Sequence, residues 1–115
     1  MDIHNEFIAQ EKNLVMYKEK AIINRIHRFY GLNREPWDFS DAEHFFFNIW
    51  EEREGGRRMI AWDDTNLTTS LPNDIILNAP ASDSDIEREK YYYEIEYMKA
   101  DGYPILIAFG EMNVL

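Results

Sequence analysis

Cysteine is absent from the chain, which excludes a disulfide framework and any thiolate metal site, and suits a reducing compartment. No stretch approaches the roughly 18 apolar residues that a membrane-spanning helix requires. The opening Met1-Asp2-Ile3-His4-Asn5-Glu6 carries acid where a secretory leader carries bases before an apolar run. A cytoplasmic location is therefore expected, with no membrane contact, and the glycosylation match Asn66-Leu67-Thr68 is read as chance. Nothing resembling a linker, a repeat or a low-complexity tract divides the sequence, so residues 1–115 are read as one domain.

Catalytic signatures are also missing. His4, His27 and His44 share no i, i+4 spacing, and no His-Glu-x-x-His occurs. There is no Gly-rich phosphate loop and no Gly-x-Ser-x-Gly elbow. Ser40, Ser82 and Ser84 read as helix caps, and Ser70 lies in a polar loop. Gly55-Gly56-Arg57-Arg58 reads as a helix stop before a solvated strand entry, with anion binding as the alternative. Asp74, Glu87 and Lys90 lack the acid that a metal nuclease needs two residues before its lysine, where Arg88 stands. The expectation is a non-enzyme with no cofactor and no metal. A dispersed divalent-ion site at Asp63, Asp64 or His44 is the third reading of function.

What the chain does have is acid. Its net charge is −10. Residues 1–31 hold four acids (Asp2, Glu6, Glu11, Glu19) against five bases (Lys12, Lys18, Lys20, Arg25, Arg28). Residues 32–56 hold seven acids against Arg34 and Arg53, and residues 82–101 hold seven against Arg88, Lys90 and Lys99. A lopsided field of this kind attracts a basic partner and repels nucleic acid, whose phosphates need Lys and Arg.

The apolar pattern suggests three helices. Ile3, Phe7, Leu14, Val15, Ile22, Ile26, Phe29 and Tyr30 recur at helical spacings over 3–30, with Gly31 as a stop. Ser40-Asp41-Ala42-Glu43 matches a capping box, opening a helix to about Glu54 with Ala42, Phe45, Phe46, Ile49 and Trp50 as its stripe. For 84–101 two readings stand. Ser84-Asp85-Ile86-Glu87 and Gly102 supply helix start and stop signals. Tyr91, Tyr93, Ile95 and Tyr97 alternate with Tyr92, Glu94, Glu96 and Met98, as in a strand that turns at Asp101-Gly102. The helix is favoured because its boundaries agree. Strands are expected at Met59–Trp62, Ile75–Leu77 and Tyr103–Phe109. The fold class expected is α/β or α+β, a three- to four-stranded sheet covered by three helices.

Seven Tyr, seven Phe and three Trp stand close to carboxylates along the chain, as in Trp37-Asp38-Phe39, Trp50-Glu51-Glu52 and Tyr91-Tyr92-Tyr93-Glu94. Aromatic anchors amid charge are the material of protein–protein contact sites. Tyr30-Gly31-Leu32-Asn33, Trp37-Asp38, the strand Met59–Trp62 and Lys99-Ala100-Asp101-Gly102 before the strand at Ile105 together resemble the order of barstar-like inhibitors, over roughly residues 20–109. Pro36 and the lack of a strand before residue 12 depart from that family. The resemblance implies an acidic helix and preceding loop that plug a ribonuclease, with Tyr30, Trp37 and Asp38 in contact.

The expected function is a small acidic inhibitor: an immunity protein, or a phage-type antagonist of a nucleic-acid-binding enzyme. Its partner is a basic protein, and Tyr30, Glu35, Trp37, Asp38, Asp41, Glu51, Glu52, Glu54, Tyr91 and Tyr92 are its binding residues. The alternative is a structural accessory protein that forms a homodimer through the long first helix.

Overall fold

The computed structural model describes residues 9–69, 73–100 and 102–115. The expected helix residues Ile3 and Phe7, and also His4, Ser70 and the turn residue Asp101, lie outside the described residues. The architecture is all-β: nine strands in two sheets, with no helix of seven residues or more among the described residues. The strands are β1 (Gln10–Glu11), β2 (Leu14–Met16), β3 (Ile22–Arg28), β4 (Ala42–Trp50), β5 (Arg58–Trp62), β6 (Leu67–Thr69), β7 (Asp74–Ala79), β8 (Lys90–Lys99) and β9 (Pro104–Val114). One short 3₁₀ turn, Ala81–Ser84, precedes β8. The larger sheet runs β1-β9-β8-β4-β5, with β2 continuing β1 beside β9. The smaller runs β3-β7-β6.

Side chains alternate across a strand, so one face of each sheet turns inward. From the larger sheet Phe45, Phe47, Ile49, Trp62, Tyr91, Tyr93, Ile95, Tyr97, Ile107, Met112 and Val114 enter a single core. Leu67, Ile75, Leu77 and Ala79 meet them from the smaller sheet, and Phe29 and Phe39 fill the end. Buried polar tips find partners, as their desolvation requires. The Tyr93 hydroxyl donates to the Lys12 carbonyl at 2.6 Å, and Tyr91 donates to the Glu87 carbonyl at 2.9 Å. The Trp62 indole N–H donates to Asp83 Oδ2 at 2.9 Å, tying β5 to the 3₁₀ turn. Burial pushes both Tyr91 and Tyr93 up to about 12.

The α/β expectation is thus overturned, and each expected helix has a local reason for failing. Within 9–30, the supposed stripe is not a face: Val15, Ile26 and Tyr30 are exposed and Phe29 is buried. Asn24, at φ 51°, shifts the register between Ile22 and Arg25, so two extended pieces mimic helical spacing. The long helix on which homodimerisation rested is absent from the described residues 9–30, which form β1, β2 and β3. Around Ser40, Asp38 Oδ1 accepts from the Ser40 amide at 2.8 Å and the Ala42 amide donates to the Phe39 carbonyl at 2.9 Å. Those bonds close a turn, and β4 follows. Ser84 caps nothing either. It is fully buried, its hydroxyl accepts from the Lys20 amide at 3.0 Å, and it lies 2.9 Å from the Lys20 carbonyl. Ser and Asp suit turns and caps for the same reason, a short side chain that bonds nearby backbone. The strand reading of 91–98 was the correct one, and the acidic helix implied by the barstar-like resemblance is a strand. The strands expected at Met59–Trp62 and Ile75–Leu77 are present, and the one expected at Tyr103–Phe109 begins at Pro104 and runs on to Val114.

The pairing of β1 and β2 with β9 is parallel, while the rest of the larger sheet is antiparallel. Lys12 and Asn13 break the edge strand in two. Gly110 sits opposite that break at φ 149°, where a Cβ would collide with the Lys12 carbonyl. Gly110→Ala should therefore destabilise the fold by on the order of 1–3 kcal/mol, read as a lower urea midpoint with an unchanged slope.

His27 supplies a second prediction. Its ring stacks on Phe29 and meets Phe47 edge-on, and Nε2 is buried with no hydrogen-bond partner among the described residues. Burial, then the charges of Arg25 and Lys12, lower it to about 4 from 6.5. The unfolded chain therefore takes up this proton first as pH falls. The stability from neutral His27 is complete above pH 6.5 and is lost as pH drops toward 4. Wild-type protein should lose on the order of 2–3 kcal/mol more than His27→Phe between pH 7 and 4.5 in urea titrations. Equal losses would show that His27 is not the acid-sensitive group.

Candidate functional site

The ten residues expected to bind a partner fall into two groups at opposite ends of β4. Its nine residues, at about 3.3 Å each, hold the groups roughly 26 Å apart. The first group belongs to the loop between β3 and β4. Tyr30 is 45% exposed and bridges Pro36 across the loop. Glu35 and Asp38 are exposed, and Asp38 is held below the usual carboxylate range by its bonds to the Ser40 amide and side chain. Asp41 pairs with Lys99 at 3.1 Å. Trp37 packs against the core, and its indole N–H donates to the Tyr97 hydroxyl at 3.3 Å. It braces the loop from inside.

The second group lies at the other end. Glu51, Glu52 and Glu54 are exposed on the turn between β4 and β5, with Glu51 paired to Arg57 at 3.0 Å. Tyr92 is half-buried on the outer face of β8. Tyr91 is 3% exposed and belongs to the core, which removes it from any binding surface.

Cross-strand register extends this second group into a surface. Trp50 stands opposite Tyr92, and Tyr92 opposite Glu111. In the next row Asn48 faces Glu94, and Glu94 faces Phe109, which in turn pairs with Glu11 of β1. In the third, Phe46 faces Glu96, which faces Leu106. All of these side chains point away from the core, because their strand neighbours Phe45, Phe47, Ile49, Tyr93, Ile95 and Ala108 are buried. The outer face is therefore an alternation of half-buried aromatic rings and carboxylates across four strands. Opposite residues on one face lie about 5 Å apart at Cβ. The Trp50 and Tyr92 rings are 6.1 Å apart. Burial, then the neighbouring Glu94, raises the Glu96 carboxyl. The same two causes raise Tyr92.

Arg53 crosses from the turn onto this face, with its guanidinium carbon 5.5 Å from the centroids of both Tyr92 and Phe109. Lys90 lines the same cleft as Arg53, and Arg58 stands opposite Trp50 on β5. Phe46, Glu94, Glu96, Phe109, Glu111 and Trp50 were not among the expected binding residues; Phe46 and Trp50 had been placed on a helix stripe. The signal that marks them is the period of two along 91–98, extended to Phe45, Phe47 and Ile49 on β4.

The candidate metal residues do meet in part. His44 Nδ1 lies 2.6 Å from Asp64 Oδ2, and Asp64 Oδ1 accepts from the Phe45 amide at 2.7 Å. The hydrogen bond to Asp64 raises the His44 imidazole above its ordinary value. Both side chains are about half exposed. Asp63 is occupied by the Thr65 amide and hydroxyl. Among the described residues no group of three or more His, Asp and Glu is placed to hold a metal ion. No helix there is long and apolar enough to cross a membrane.

No protein-family model matches the chain, and no curated protein is recognisably similar to it in sequence.

Alternation along β8 makes a mutational contrast. Tyr93→Ala removes a fully buried ring and should cost about 3–5 kcal/mol. Tyr92→Ala, one residue away on the outer face, should cost about 1 kcal/mol or less. Chemical denaturation of the two variants checks this, and equal costs would mean that the outer face is sealed.

Proposed function

We propose that the chain is an acidic protein-binding domain that docks a basic protein through the outer face of its larger sheet. The observation that carries this reading is the interleaving of Phe46, Trp50, Tyr92 and Phe109 with Glu11, Glu94, Glu96 and Glu111. The core gains little from aromatic rings on that face. Partly exposed rings amid carboxylates supply both desolvatable area and directional charge. The turn acids Glu51, Glu52 and Glu54 extend the negative field beyond the sheet. A net charge of −10 favours encounter with a cationic surface over a phosphate backbone.

The finer reading is inhibition. A partner that binds nucleic acid carries its cations in a groove spaced for phosphates. A face that offers carboxylates at strand spacing competes for that groove, and the rings fix its register. The loop residues Tyr30, Glu35, Asp38 and Asp41 are too distant to share this contact. They belong to the proposal only if the partner spans the length of the molecule.

The test is capture at low salt on immobilised wild-type protein and on the charge-reversed Glu94→Lys/Glu96→Lys variant. The expected result is a basic partner that elutes with moderate salt, is lost from the variant, and recovers its nuclease or other nucleic-acid-directed activity on release. An acidic partner, or one retained equally by both baits, would overturn the reading.

A further inference from the structure

Tyr92, Glu111, Glu94 and Phe109 form a two-by-two block on adjacent strands, with ring beside carboxylate in both directions. A cleft of about 300 Å³ opens over one corner of it, lined by Tyr92, Phe109, Glu11, Glu52, Arg53 and Glu111 among others. Planar cations favour such a surface. Aromatic faces attract a guanidinium through the ring quadrupole, and adjacent carboxylates accept its in-plane N–H groups. The chain already shows the ring half of this chemistry in use, because Arg53 lies 5.5 Å over both rings.

Arg53 is not built in as a structural cation would be. It is exposed, and it sits on a turn that contains Gly55 at φ 74°. Its neighbour Arg57 instead points to Glu51 at 3.0 Å, so the two arginines of one turn have different tasks. We propose that the cleft over Tyr92 and Phe109 is a receptor for an arginine side chain of the basic partner, and that Arg53 occupies it as an internal competitor until the partner displaces it. The inference rests on the docking face proposed above and names the partner group that the face selects. Arginine is preferred to lysine, because a compact ammonium forfeits planar stacking.

The probe is a nona-arginine peptide compared with nona-lysine, titrated by calorimetry at low salt. Wild-type protein should bind nona-arginine more tightly. Arg53→Ala should tighten that binding about two- to fivefold, the equivalent of removing one exposed cation–π competitor. Arg57→Ala, which deletes the same charge from the same turn without vacating the cleft, should change it less. Adding Tyr92→Leu to Arg53→Ala should abolish the gain. In the free protein, Arg53→Ala should also shift the ring resonances of Tyr92.

The two readings fail differently. Nona-arginine binding that is lost on Glu94→Lys/Glu96→Lys but is unmoved by Arg53→Ala, or moved equally by Arg57→Ala, overturns the arginine receptor and leaves the docking face. Equal affinity for nona-lysine does the same. No binding of either peptide by wild type or Arg53→Ala overturns both.

Discussion

The pleat of β8 is the constraint on which the rest depends. Ten residues run through the larger sheet between β4 and β9, and their side chains alternate without a break from Tyr91 to Met98. Because the period is two, the same stretch that supplies Tyr91, Tyr93, Ile95 and Tyr97 to the core must display Tyr92, Glu94, Glu96 and Met98 outside. Core and outer face are thus one pattern seen from two sides. A slip of one residue would bury Glu94 and Glu96 and expose three tyrosines. The heavy inward rings, with the Tyr93 hydroxyl bonded to the Lys12 carbonyl, set the register that the outer face inherits.

Legibility in the sequence followed how strongly each segment obeyed one period. The runs at Met59–Trp62, Ile75–Leu77 and Ile105–Phe109 are short, apolar and bounded by turn residues, and they are strands. β8 was legible as well, since its alternation is visible, but Ser84 and Asp85 supplied a misleading helix start. β4 was harder. Phe45, Phe46 and Phe47 are consecutive, so an apolar run hides the alternation of burial beneath it. In the segment 9–30, the left-handed residues Glu19 and Asn24 and the break at Lys12–Asn13 interrupt extended chain at intervals that imitate helical spacing. Nothing in composition shows such interruptions.

For the site, the acidic character and the aromatic partners were legible as quantities, but their placement was not. Glu94 and Glu96 were counted as segment charge. Phe109 was assigned to a strand whose continuous apolar run hides which side chains face outward. Only cross-strand register brings Phe109 beside Glu94, and register is set by the turn at Gly102 and by the shift between Ile95 and Glu96. Conversely, Trp37 looked like an anchor for a partner, and its bond to Tyr97 makes it an anchor for its own loop.

The parallel pairing of β1 and β2 with β9 bears on how the chain is made. Gln10 pairs with Ala108, and Met16 with Val114. Ribosomes deliver residues in order, so β1 and β2 must wait until β3 to β8 have been made before the strand beside which they lie appears. During that interval β8 has β4 on one flank and an open hydrogen-bonding edge on the other, with its tyrosines uncovered. Pairings this distant along the chain close slowly, because the loop entropy is spent before the contacts form. This part of the nascent chain is therefore most vulnerable to off-pathway association just before β9 emerges. Placing charge along the outer side of β8 keeps half of that unfinished sheet soluble in the meantime.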